Sequence, residues 1–375
     1  MHQRLFCRAL WAASVCSTFA VSSWAAEGFK VRFPLSGTLG GEIVAPVDNP
    51  GFFASVVVTQ IELDKVTDGT GNTRYQTTSG SFATPAAIAG AVRTANYTST
   101  VKFDLNQSQT NANLLVGYLS QGQYAGGRLS LVFNLPYTTR LDRGLTLSGL
   151  TPTLSTLAPA LTTPPLPSGT ALVAQGQAQA GFNTAYQAQL VSQSAAATGV
   201  INGVGDAELT AAWVYRKDDL KLVTGLTLAL PTGKYDAASP LNVGFGNFYT
   251  LRPGVALAYN PTKDWTLGVR GSLGFNTRNK DNQIKSGDFG GLDMAAAYRS
   301  SIGVFGPHVL VIKQLKDDTG GTLGANRFYA AGVGAFFTTL IPGLEAAVNL
   351  SYMQMVTAKN ALSGSFYQVR ASKAF

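Results

Sequence analysis

Hydrophobic and polar positions alternate with a period of two through most of the second half of the chain. In "DLKLVTGLTLAL" (219–230), Leu220, Leu222, Leu226, Leu228 and Leu230 share one face, and Lys221, Val223, Gly225, Thr227 and Ala229 share the other. "DWTLGVRGSLGF" (264–275) sets Trp265, Leu267, Val269, Leu273 and Phe275 against Thr266, Gly268, Arg270, Ser272 and Gly274. "GLEAAVNLSY" (343–352) and the closing "YQVRASKAF" repeat the arrangement. Side chains point alternately to the two sides of a strand, so each segment reads as a strand with one oily face and one small or polar face. Counted back from the end, strands are predicted near 363–375, 344–357, 325–340, 302–316, 288–299, 264–276, 247–259, 219–231 and 205–216. The first half is less regular, with strands near 51–65 and 124–138 and one interrupted or bulged strand within 94–120.

The connections separate a membrane barrel from a soluble sandwich. "KDD", "NPTKD", "RSS" and "IPG" are short, and they alternate with the long polar stretches "PTGKYDAASPLNVGFGN", "NTRNKDNQIKSGD" and "KDDTGGTLGAN". Outer-membrane barrels have short periplasmic turns, long outer loops and tilted strands of about 9–11 residues or more. Sandwich strands average nearer five or six residues. The expected fold is therefore all-β: a transmembrane antiparallel up-and-down barrel of about twelve strands, an even count that keeps both termini periplasmic. Two segments do not read as strands. Residues 26–49 are either a periplasmic tail or a plug in the barrel. Residues 139–204 form an extracellular insert whose second part, about Ala171 to Ala197, is rich in Ala and Gln, lacks Pro and is predicted helical. A surface loop, a lid and a lumen constriction are all open readings of this insert.

Composition strengthens the barrel reading. Charged residues make up 13% of the chain, against roughly a quarter in ordinary soluble domains. No stretch after the N-terminus approaches the 18 consecutive apolar residues of a membrane helix. Residues 1–25 have a basic start (Arg4, Arg8), an apolar run from Leu10 to Val21 and the small-residue site Ser23-Trp24-Ala25, the pattern of a secretory signal peptide. Cleavage there removes both cysteines, Cys7 and Cys16, and leaves residues 50–375 as the barrel. It also takes the 28 basic residues to 26 against 20 acidic ones, a mature net charge of +6. No basic cluster sits on one element, so a nucleic-acid partner is not expected.

Little catalytic chemistry is available. A Ser/His/Asp triad needs a histidine base, and after cleavage only His308 remains, inside the apolar strand "VFGPHVLVI". Metal-ligand spacing of His and Cys is absent. Asp64 and Asp68 in "LDKVTDGTGN" read as part of a polar hairpin loop. No enzyme, cofactor or metal site is expected. The chemistry left is that of the lumen. With oily faces toward lipid, the inward candidates are Arg128, Glu208, Arg252, Arg270, Asp293, Arg299, Glu345 and Arg370. Arg or Lys facing lipid at mid-depth costs about 2–4 kcal/mol, so these charges belong inside. They are either an ion-pair network bracing the wall or a ring that sets which solutes pass.

Several ordered motifs then carry a resemblance: "APVDNPGFFAS", "GQYAGGRLSLVFNLP", "GVGDAEL", "LALPTGKYD", "NVGFGNFYTLRPGVALAY", "GFNTRN" with "IKSGD", and "IKQLKDDTGG". The sequence resembles the outer-membrane proteins associated with the meta-pathway of phenol degradation, over about residues 40–375. Residues 139–204 hold no motif of that family. The resemblance implies a Gram-negative outer-membrane barrel grouped with transporters of hydrophobic and aromatic compounds. Its implied partners are outer-membrane lipid and lipopolysaccharide, a small hydrophobic or aromatic solute, and the barrel-assembly machinery, for which a terminal strand ending in Phe375 is the address. The expected function is passive uptake of such solutes. The alternative is a non-transporting surface protein that binds a partner through 139–204.

Overall fold

The structure, a computed structural model, describes residues 31–33, 49–84, 93–154, 168–321 and 326–375. The predicted signal peptide and most of segment 26–49 lie outside the described residues. The chain divides into two compact units, the larger comprising residues 24–72, 105–144 and 198–375.

The larger unit is a closed antiparallel barrel. Its ring is made of β1 (Gly51–Val66), β3 (Arg93–Leu119), β4 (Gly127–Ser148), β6 (Glu208–Lys217), β7 (Leu220–Ala229), β8 (Thr250–Tyr259), β9 (Trp265–Asn276), β10 (Phe289–Arg299), β11 (Val304–Gln314), β12 (Tyr329–Ile341), β13 (Ala346–Lys359) and β14 (Leu362–Ala374). Neighbours in sequence pair along most of the ring, β1 joins β14 and β3, and β3–β4 pairing completes it. Twelve strands thus close on themselves, the number expected. Closure satisfies every ladder without leaving an edge in lipid.

Two further strands stand outside the ring: β2 (Tyr75–Thr84), paired with β3, and β5 (Gly199–Val204), paired with β4. The alternation does not announce them, because "YQTTSGSFAT" is built of Ser, Thr and Gly and reads as loop. The strand expected to be interrupted within 94–120 is instead continuous over 27 residues. The supposed insert also begins later than residue 139, since β4 runs on to Ser148, and β5 occupies its end.

The distribution of polarity is inverted relative to a soluble protein. On β4, Leu129, Leu131, Phe133 and Leu135 are exposed on the outer face, as are Val56 and Val58 on β1 and Tyr367 and Val369 on β14. Gln368 and Arg370, which alternate with those last two, are buried on the inner face. A continuous apolar outer surface of this kind exceeds what soluble monomers leave uncovered and is stabilised by hydrocarbon. The band ends where Gln60 donates to Ser108 (2.8 Å) and Ser108 to Glu62 (2.9 Å) on β1 and β3. At the short-turn end, rings meet across strands, with Trp265 5.3 Å from Tyr298 and Tyr298 5.8 Å from Phe305, and along β6, where Trp213 stacks on Tyr215. Aromatic rings of this kind occupy the membrane interface.

The seam between the first and last strands is tight. The Phe375 amide donates to the Phe52 carbonyl at 2.8 Å. Gly51 has φ +124°, and a Cβ there would stand 2.6 Å from the Phe375 carbonyl oxygen, so glycine is required at this approach.

The smaller unit contains β2, residues 93–104 of β3, the end of β4 and a helix, α1 (Ser168–Ala197). The helix lies over the predicted range and carries no charged residue. Phe182 and Tyr186 are buried and pack with Tyr97, and Phe182 also meets Phe82. Tyr186 hydroxyl and Ser99 are hydrogen-bonded. Leu147 amide donates to Ser194 hydroxyl at 2.9 Å.

Candidate functional site

The barrel unit encloses a chamber of about 250 Å³. One side is a chain of carboxamides. The inward positions of β3 are Gln107, Gln109, Asn111 and Asn113, which the strand's period places one above another. Gln107 donates to Gln109 (3.2 Å) and Gln109 to Asn111 (2.9 Å). Thr138 of β4 donates to Asn111 (2.8 Å), and Asn113 donates to Asn134 (3.1 Å). Asn134 continues the chain to Glu208 (3.2 Å). The other side is apolar, with Ile61, Leu310, Ile312, Met353 and Phe366 among its lining.

Residues 31–33 line part of this chamber. Arg32 is buried, and its guanidinium meets Asp206 at 2.8 Å. The same group donates to the carbonyls of Phe248 (2.5 Å) and Gly246 (3.1 Å) and lies 4.0 Å from the Phe248 ring centroid. Arg252 holds the Arg32 carbonyl at 3.0 Å while its other nitrogen pairs with Glu208 at 2.6 Å. Asp206 also accepts from the amides of Gly233 (2.9 Å) and Phe245 (3.0 Å), which fastens the β7–β8 connection to the same point. Phe33 lies edge-on to Phe289, 6.4 Å between centroids, and covers Gly291. Any Cβ at Gly291 would occupy the space of the Phe33 ring. Gly291→Val is therefore expected to displace Phe33 while leaving the ladder of β10 intact. The measurement is proteolytic accessibility of the N-terminal segment in the folded barrel, which should rise in the variant.

The eight candidate charges fall into different places. Glu208 and Arg252 are joined as described, and Arg270 meets Asp293 at 2.9 Å across β9 and β10. Arg370 is buried on the inner face of β14, opposite Asn349. Arg128 bonds the carbonyls of Ser120 and Gln121 at the β3–β4 turn. Arg299, at the end of β10, is exposed. Glu345 is exposed in the β12–β13 turn at φ +50°. The last three stand at strand ends or in the adjoining turn, where alternation still assigns a face although the side chain lies at the rim. His308 is buried, with Nε2 3.1 Å from the Tyr352 carbonyl oxygen. Among the described residues, no group of three His, Cys, Asp or Glu is arranged to hold a metal.

Sequence reasoning passed over Arg32, Asp206, Arg143 and the carboxamide chain. The signal for the last was present in "NQSQTNAN" (106–113), where every second residue from Gln107 is Gln or Asn. Arg32 lies in a segment without periodicity, and nothing local pairs it with a residue 174 positions away.

An apolar outer belt, a polar interior and a closed ring of twelve strands define an integral barrel of the outer membrane. The chain belongs to the family described as "Putative MetA-pathway of phenol degradation", whose profile matches residues 121–371. Among solved structures, an outer-membrane channel from Pseudomonas putida F1 shares the fold, with a TM-score of 0.59 at 14% identity over 92% of this chain and 100% of that one. A FadL homologue of Pseudomonas aeruginosa gives 0.40 at 11% identity over 93% of this chain and 100% of its own. The CymD monoaromatic hydrocarbon channel gives 0.35 at 10% over 88% and 89%. Only the first of these three bears on the fold. No curated protein matches the sequence.

Proposed function

We propose that the barrel is a passive channel for small hydrophobic or aromatic solutes, with residues 31–33 acting as a plug that narrows its chamber. The observation that carries this reading is the two-sided chamber, carboxamide on one wall and apolar on the other, inside a closed membrane barrel. A small ring with a polar substituent can slide between such walls without stripping every group of its partner. The outer-membrane channel that shares the fold is in keeping with a channel reading. The ion pairs Arg252–Glu208 and Arg270–Asp293 brace the wall and line the path together. The test is single-channel conductance in planar bilayers, together with growth of a deletion strain on limiting aromatic carbon. An absence of conductance combined with unimpaired growth would remove the proposal.

Export and assembly are part of the same reading. Residues 1–25 direct export, and Phe375 presents the terminal strand to the barrel-assembly machinery. Phe375 is 74% exposed, so its ring is not consumed by packing within the barrel. Deleting it is expected to lower the heat-modifiable barrel recovered from outer membranes several-fold. Undiminished recovery would count against the assembly role.

The smaller unit supports a second role, a surface that binds a partner. It has its own buried aromatic cluster and an exposed, uncharged helix face. Removing residues 149–198 separates the roles, since loss of cell-surface binding with unchanged conductance would assign recognition to this unit.

A further inference from the structure

Arg143 stands apart from the other charges of the chamber. It lies on the inner face of β4, is 9% exposed and lines the cavity. The remaining charged lining residues are Arg32, Asp206 and Glu208. Asp206 is taken by Arg32, and Glu208 by Arg252. Among the described residues, no carboxylate pairs with Arg143. Its Nε donates to Gln107 Oε1 at 2.7 Å and its Nη1 to the Pro240 carbonyl at 3.1 Å. These bonds orient the guanidinium, and among the described residues its Nη2 makes no hydrogen bond.

A guanidinium presents five N–H donors in a planar fork and stays charged at all physiological pH. Burying it without a counter-charge is costly, and two neutral acceptors do not neutralise it. The arrangement is that of a half-site. A cation is held rigidly by two partners on a strand and a loop, with donor capacity facing a cavity whose opposite wall is apolar. The fork matches a carboxylate, and the apolar wall matches a ring. A cavity of about 250 Å³ has room for one substituted ring.

We infer that the chamber is a binding subsite for small aromatic carboxylates, with Arg143 receiving the carboxylate and the Ile312, Met353 and Phe366 wall receiving the ring. The inference rests on the channel reading and narrows its solute class from hydrophobic compounds in general to monoanionic amphiphiles. Arg143 would then hold solute on the way through, and Gln107 would position it.

The experiment uses the full-length barrel in detergent, with benzoate and its neutral isostere benzamide as probes in calorimetric titrations. Wild type is expected to bind benzoate more tightly than benzamide. Arg143→Met should weaken benzoate by about tenfold or more, the scale of a lost charge-assisted hydrogen bond, and leave benzamide unchanged. Phenylacetate should compete with benzoate on the wild type, a measurement that needs no variant should Arg143→Met fail to assemble. Equal binding of the two probes by wild type, or benzoate binding indifferent to Arg143→Met, would overturn the inference while leaving the channel intact. Benzoate binding by a barrel that carries no current in planar bilayers would instead sink the channel reading and keep the subsite.

Discussion

Asp206→Ala is expected to open the chamber. The carboxylate receives Arg32 and two amides of the β7–β8 connection, so its loss releases both the segment at 31–33 and the inner side of that loop. Removing one partner of a buried ion pair costs about 3–5 kcal/mol, because the other charge stays buried without compensation. The strand ladders are untouched, so the variant should still assemble and migrate as a heat-modifiable barrel. Its single-channel conductance should rise several-fold. Arg32→Ala should have a similar effect, and the double variant should lose less stability than the sum of the singles, since the two residues share one interaction. Unchanged conductance in a correctly assembled Asp206→Ala barrel would mean that residues 31–33 do not limit the path.

Leu131→Arg tests the inverted architecture. Leu131 is 53% exposed in the outer apolar run of β4. An Arg at the bilayer midplane costs about 2–4 kcal/mol, with less toward the interfaces, where it snorkels. Loss of that size should lower the urea midpoint of the barrel refolded in lipid vesicles and reduce the assembled fraction in cells. Leu131→Ala, which keeps the face apolar, should be much milder. A soluble sheet with water on this face would be indifferent to the Arg or be improved by it. Equal urea midpoints for wild type and Leu131→Arg would therefore contradict the membrane orientation of β4.

Most of the ring was legible because alternation is a local property. In "DLKLVTGLTLAL" the buried side of β7 includes Lys221, and the exposed side includes Leu220 and Leu226. In a barrel with lipid outside, this pattern needs no knowledge of distant residues. The contact between Arg270 and Asp293 was only half legible: alternation turns both inward, but a long connection joins β9 to β10, so the register that sets them directly opposite comes from the ladder itself. Where polarity is similar on both faces, alternation carries no information. That is why β2 passed for loop and β3 for an interrupted strand: Ser, Thr, Gln and Asn do not distinguish an inner face from an outer one. Those strands form because a neighbour supplies the ladder, as β3 does for β2 from Tyr75↔Lys102 to Thr84↔Arg93.

The candidate site divides along the same line. Residue type and period alone determined that the protein is an antiparallel barrel of about twelve strands, and which positions of its strands are oily. Only the tertiary structure decided which charges meet and which line the chamber. Arg32 finds Asp206 and the carbonyls of Gly246 and Phe248 from a segment with no repeat to set its depth. Arg143 acquires its acceptors from Gln107 and Pro240, one on a strand and one on a loop. Periodicity sets the direction of a side chain. It is ring closure, strand stagger and the path of the long connections that set the height at which each side chain stands, and so what it touches.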